Sequence, residues 1–364
     1  MRSHLLALLV LAAAATAQPG VDGPQPATGD WVELPTLPIA VSNNATAMVR
    51  GPGDQRTFYS FMGIRDPDQT STITAASYSI TLPGGSWRRI ADAPRLGGLA
   101  KIAANAITVA GEVYLLGGYT AAAGEVTEPR LFRYDVPTDS YVRLADVPTE
   151  VDDTVVGVYR NRYVYLISGW HGPRGTNVAN VQLYDTQTNG WSQATPIPGP
   201  LPGLFGHTGG LVGDELIYMD GAKIQAGFRI NDRAFVGKID PRGVGALNEI
   251  AWREVPAHPG RPTYRAAGSP GAVPGQRFLL HGGTDNPYNI SGIGYNGQPS
   301  RPLAQTLLYH PASDNWETVA TRHTPPATMD HRAMVGAGRF WARIGGMTEP
   351  GVTTARCFML VLDP

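Results

Sequence analysis

A period runs through this chain. At intervals of roughly fifty to sixty residues, alternating apolar residues run into a glycine or glycine pair, and an aromatic follows downstream. The glycines are Gly63, Gly117-Gly118, Gly169, Gly221, Gly282-Gly283 and Gly345-Gly346. The aromatics are Trp31, Trp87, Tyr141, Trp191, Trp252 and Trp316. Period-2 alternation bounded by Gly, Pro, Asn and Asp is the pattern of short strands. A unit this small cannot bury its own faces, so each must stack on the next. The pattern predicts an all-β, six-bladed β-propeller with one four-stranded sheet per repeat.

The second repeat is the clearest. Lys101 to Val109 reads as an inner strand a, and Glu112 to Leu116 as strand b, ending at Gly117-Gly118. Leu131 to Tyr134 is strand c, and Tyr141 to Leu144 the outer strand d. The sixth repeat has strands a, b and c, but the chain ends at Pro364 with no strand d. Trp31 to Leu34, near the other end, reads as a strand d with nothing before it. Joining the fragments completes the last blade and removes a sheet edge.

The first residues read as an export signal. Arg2 and His4 precede the apolar run Leu5 to Ala15, and Ala15-Thr16-Ala17 suits cleavage before Gln18. Residues 1–17 are therefore expected to be removed, leaving 18–364 as a single propeller domain, exported to a periplasmic or extracellular space. A net charge of −1 gives no electrostatic case for nucleic acid, and no segment suits membrane insertion. The lone Cys357 forms no intrachain disulfide and reads as a small hydrophobe in a buried strand.

The apolar run into Gly-Gly, the Tyr-Asp closing strand c and the Trp after it resemble kelch repeats over almost the whole mature chain. Kelch propellers include sugar oxidases, sugar epimerases and protein-binding scaffolds, so the resemblance implies the fold and leaves the function open. A narrower resemblance lies in Asp220-Gly221-Ala222-Lys223 through Gly227-Phe228-Arg229. It looks like the Gly-x-x-Lys…Gly-x-Arg stretch of the exported sialic-acid epimerases, the cyclically permuted mutarotases. Gly282-Gly283-Thr284-Asp285-Asn286-Pro287-Tyr288-Asn289, the loop through Tyr295 and His331-Arg332-Ala333-Met334 are also similar. That resemblance implies that Lys223, Arg229 and Arg332 bind a sialic-acid-like sugar. The family places a Glu near the glycine, and here Gly221 or Ala222 holds that place.

In a kelch blade, the b–c loop and the segment leading from strand d into the next strand a open on the same end. Polar residues there would line one funnel. The b–c loops offer Arg65, His171, Arg174, Lys223, Arg229, Asp285, Tyr288 and Asn289. The lead-in segments offer Asn43, Asp152, Asp153, His207, Tyr264, Arg265, Asp330, His331 and Arg332. Arginine can grip a carboxylate and an aromatic face can stack on a sugar ring. Asp330-His331 and Asp152-Asp153 are the best acid–base pairs for proton exchange with a ring hydroxyl. On an extended segment Asp152 and Asp153 would point opposite ways, leaving one in the channel.

No cofactor or metal is expected. The eight histidines form no HExxH, and a copper radical site would need a Cys–Tyr crosslink that Cys357 is badly placed to make. Two functions stay open at this point: a non-redox mutarotase or epimerase with its site in the funnel, and a noncatalytic scaffold holding a glycan or protein partner there.

Overall fold

Six antiparallel four-stranded sheets follow one another along the chain, each ordered a-b-c-d outward from a common axis. The computed structural model describes residues 27–121, 124–198 and 203–364. The expected export signal lies outside these residues. Apart from three short 3-10 turns, the described secondary structure is all β.

Blade one is built from Ala45–Arg50, Arg56–Phe61, Ser77–Leu82 and Arg88–Ile90. Blade two uses Ile102–Val109, Glu112–Thr120, Phe132–Asp135 and Ser140–Arg143. Blades three, four and five repeat the plan, with inner strands Val155–Tyr159, Thr208–Val212 and Ala267–Gly268. Blade six takes Val335–Ala337, Phe340–Ile344 and Cys357–Leu362 from the end of the chain and Thr28–Leu34 from its beginning. The expected closure is therefore present. Trp31 lies opposite Leu360 and Leu34 opposite Cys357, in antiparallel register.

The strand-d aromatics join neighbouring blades in a repeated way. The indole N–H groups of Trp87, Trp191, Trp252 and Trp316 donate to the carbonyls of Pro35, Ala145, Thr195 and Pro256, at 2.7, 3.0, 3.2 and 3.0 Å. Tyr141 does the same through its hydroxyl, to Ala91 at 3.0 Å. Each acceptor lies just beyond the preceding blade's strand d, so the ring buries its apolar area and satisfies its polar tip in one contact. Trp31 differs. It is buried, and its ring lies 4.6 Å from that of His281 in blade five. The closing strand thus holds blade six to its neighbour as well as completing its sheet.

The paired glycines are explained by what lies opposite them. Ala103, in strand a of blade two, has φ of 60° and sits between register pairs Ile102–Tyr119 and Ala104–Gly117. It therefore faces Gly118, itself at φ of 86°. A Cβ on Gly118 would meet the Ile102 carbonyl at 2.5 Å, and one on Gly117 would meet the Val151 carbonyl at 2.6 Å. One glycine thus clears its own blade's inner strand and the other clears the next blade.

Deleting residues 18–35 removes strand Thr28–Leu34 and opens an edge along Cys357–Leu362. The expected result is a fall in thermal midpoint of at least about 5 °C by circular dichroism, since truncating one buried Trp alone costs about 3–5 kcal/mol. An unchanged midpoint would show that the shared blade contributes nothing to closure.

Candidate functional site

At its lead-in to strand a, each blade places one residue in the left-handed region: Asn43, Ala103, Asp153, Gly206, Arg265 and Asp330, with φ between 51° and 67°. Their main chains form a closed belt around the axis. Asn43 N–H donates to the Asp330 carbonyl at 3.0 Å, Asp153 to Ala103 at 3.2 Å, Gly206 to Asp153 at 2.9 Å and Arg265 to Gly206 at 2.8 Å. Two links vary the pattern. Ala103 N–H donates to the Asn43 side-chain oxygen at 2.7 Å, and His331 N–H donates to the Arg265 carbonyl at 3.0 Å.

The larger belt side chains converge on the axis and plug it. Arg265 donates to Asp153 at 2.8 Å and to Asp330 at 3.1 Å, with side chains of all three at most 2% exposed. Arg332 pairs with Asp153 and donates to the Asn43 side-chain oxygen at 2.6 Å. Asp330 also accepts from the Ser42 hydroxyl at 2.7 Å and the Asn43 amide at 3.0 Å. Burial raises the pKa of Asp330, and Arg265 and Ser42 oppose that rise. Its acceptor set suits the ionised carboxylate, so two arginines balance two aspartates.

Above this plug, on the b–c face, lies a cavity of about 130 Å³. Asp153 and Arg265 form its floor, and Asp152, Phe205 and Trp170 rise from the adjoining lead-in and b–c segments. Asp152 and Trp170 are tied by reciprocal backbone hydrogen bonds of 3.0 Å. Trp170, Phe205 and Phe228 meet with ring centroids 5.6 to 6.0 Å apart. The roof comes from the blade-five loop, whose Tyr295 stacks on Phe228 at 4.1 Å.

That loop crosses the funnel to the opposite blade. The Asn289 side chain accepts from the Tyr119 hydroxyl at 3.1 Å and donates to Glu125 at 2.9 Å, both in blade two. The Asn289 carbonyl accepts from Arg265 at 2.6 Å. Ile290 packs with Ile64, Ile102 and Tyr119, and the Ser291 carbonyl accepts from Gly351 N–H in blade six at 2.8 Å.

Asp152 is the chemically distinctive group. Burial, and then the nearby Glu125 carboxylate, push its pKa up to about 8, against the pull of Arg332 and Arg265. The Thr127 hydroxyl donates to it at 3.3 Å. At neutral pH Asp152 therefore carries a proton that it can give. Asp153, at φ of 51°, is not extended, so the two adjacent carboxyls do not diverge as an extended segment would require. Both border the same cavity.

The other predicted site residues fall into three groups. Arg332, Asp330 and Tyr288 belong to the floor: Tyr288 is buried with its ring 5.2 Å from the Arg265 guanidinium. His207 and His331 are buried beneath it. His207 Nε2 donates to the Ile167 carbonyl at 2.9 Å, and burial pulls its pKa down to about 4. His331 Nε2 lies 2.8 Å from the Thr328 hydroxyl, and burial followed by Arg343 pulls it down to about 3. Both are neutral at ordinary pH. The rest stand around the cavity without lining it. Lys223 is half-buried and Arg229 exposed, on a hairpin that aims Phe228 into the wall. His171 Nδ1 donates to the Glu150 carbonyl at 2.8 Å. Asp285 pairs with Arg261 at 2.7 Å, and Arg65 and Arg174 are exposed. Tyr119, Glu125, Trp170 and Phe205 were not singled out by the sequence. Tyr119 and Trp170 directly follow a repeat glycine, Glu125 lies in a b–c loop and Phe205 lies in a lead-in segment, which are the signals that would have found them.

No protein-family model matches the chain. Over 111 residues it is 31% identical to Kelch-like protein 15 of Gallus gallus, covering 30% of this chain and 22% of that protein. Over 119 residues it is 26% identical to an F-box/kelch-repeat protein of Arabidopsis thaliana, covering 32% of this chain and 31% of that protein. The matches thus span under a third of either relative. The solved structure of YjhT aligns with a TM-score of 0.69 at 15% identity, over 91% of this chain and 99% of that one. At that identity the likeness is one of fold. Together with the six blades, these matches make the chain a kelch-repeat propeller.

Replacing Arg265 with Met leaves Asp153 and Asp330 short of a buried partner. Chemical denaturation is expected to show a loss of about 3–5 kcal/mol. A loss below about 1 kcal/mol would mean that the axial plug is held by something other than this ion pair.

Proposed function

We propose that this kelch-repeat propeller acts on a sugar in the b–c face cavity, as a non-redox mutarotase or epimerase, with Asp152 as the proton donor. The observation that carries this reading is a pair of carboxyls, Asp152 and Glu125, lining one cavity under aromatic walls, with burial pushing the Asp152 pKa up to about 8. Anomer exchange needs a proton delivered to the ring oxygen and another removed from the anomeric hydroxyl. Two carboxyls in unlike surroundings can perform the two transfers. Asp152 is enclosed and supplies the acid. Glu125 is exposed at the rim and supplies the base. Aromatic faces exclude water and stack on the apolar face of a sugar ring. Drug-sized ligands occupy sites of about 300–1,000 Å³, so a cavity of this size suits a single small ring.

The reaction needs no net oxidation and no bound cofactor, since the ring opens and recloses with protons returned to the same groups. The expected export signal is consistent with this role, since it would place the cavity before free sugars outside the cell. A scaffold that holds a glycan without turning it over is the other reading, and turnover separates the two.

Saturation-transfer NMR on common hexoses and sialic acid is expected to show faster exchange between anomers with the protein than without it. Asp152→Asn should reduce that acceleration by about a hundredfold or more while leaving binding largely intact. The active form is the protonated acid, so kcat/KM should fall as pH rises through about 8. Tight sugar binding with no acceleration would establish the scaffold instead. A pH profile unmoved by Asp152→Asn would remove Asp152 from the mechanism.

A further inference from the structure

Charge in the cavity is distributed unevenly. Among the described residues, Arg265 is the sole basic side chain lining it; its two terminal nitrogens are engaged by Asp153, Asp330 and the Asn289 carbonyl, which leaves only its single buried Nε–H without a partner. Arg332 is likewise engaged by Asp153 and Asn43. Lys223 and Arg229 stand outside the lining. The cavity therefore presents no free fork for a carboxylate, which is how arginine recognises an acid.

What it does present suits a cation. Glu125 sits exposed at the rim, with one side-chain hydrogen bond, from Asn289 at 2.9 Å, and Asp152 lies beside it. Trp170, Phe205 and Phe228 form a corner of rings, closed by Tyr295 on Phe228. Ring faces attract ammonium groups, and the attraction grows as water is excluded.

We infer that the cavity selects a cationic sugar, a ring bearing a protonated amino group, over neutral and acidic sugars. This rests on the sugar reading of the same cavity and adds the charge of its ligand. The ammonium group lies between the aromatic corner and Glu125, and the ring hydroxyls face Asp152 and the floor. An acidic sugar would bring its carboxylate against Glu125 with no basic partner to offset the repulsion.

Titration calorimetry on the mature chain with D-glucosamine, D-glucose and N-acetylneuraminic acid tests this. It is best run near about pH 6.5, below the range where such an amine loses its proton. Glucosamine is expected to bind about tenfold more tightly than glucose, with the acid weakest. Glu125→Gln, at an exposed position, should shrink the preference for glucosamine over glucose. Equal affinities for glucosamine and glucose, or tightest binding of the acid, would overturn the charge selection and leave the sugar reading standing. If none of the three binds, the sugar reading falls and the inference falls with it.

Discussion

Six blades arranged around an axis leave a hole, and in this protein Arg265, Arg332, Asp153 and Asp330 close its upper end. The closure is electrostatic, so its geometry is demanding. Four charged side chains taken out of water remain tolerable only when each finds partners at hydrogen-bond distance. The left-handed backbone at each lead-in meets that demand. It turns the belt residue's side chain inward while its amide and carbonyl bond to the neighbouring blades. Where a side chain would not fit, the belt has Ala103 and Gly206. Where one is needed, it has Asn43, Asp153, Arg265 and Asp330, accepting the cost of φ near 55° in non-glycine residues.

The cavity depends on this floor. Asp152 precedes belt residue Asp153, and Phe205 precedes Gly206, so fixing the belt fixes two walls of the site. The proton on Asp152 depends on it too. Arg265 and Arg332 both favour the ionised form of Asp152, while burial and Glu125 oppose it. Burial is the largest influence and prevails.

The fold was legible because its determinants recur. Gly117-Gly118, Tyr134 with Tyr141, and Tyr184 with Trp191 answer the same steric problem in blade after blade, so periodicity alone exposes them. The shared sixth blade was legible for the same reason: Trp31 carried the signature of a strand whose first three partners stood at the far end of the chain. The face bearing the site followed from the connectivity. The membership of the site did not. Asp152 and Asp153 could not be separated by alternation, because alternation assumes extended backbone and Asp153 is left-handed. His207 and His331 looked available in sequence, yet burial beneath the floor makes them neutral packing groups. Phe228 was written between Lys223 and Arg229, and the tight turn at Phe228 and Gly227 sends the aromatic inward and leaves the charges on the hairpin.

Function in such a ring is decided where symmetry fails. Among the described residues the blade-five loop has no counterpart in the other blades: it spans the funnel, bonds through Asn289 to blade two, and lays Tyr295 on Phe228 of blade four. An axial funnel with six similar walls becomes an off-axis chamber with distinct sides, aromatic toward blades three and four and carboxylate toward blades two and three. The same loop decides the sign of the site. Its Asn289 carbonyl takes up a donor of Arg265, and its Asn289 amide donates to Glu125 at the cavity. A resemblance carried by Lys223 and Arg229 implies an acidic sugar, whereas the selection we infer from the groups that reach the chamber is for a basic one. The two expectations differ because the resemblance lies in a hairpin beside the chamber, and the charge that a ligand meets is set by a loop from another blade.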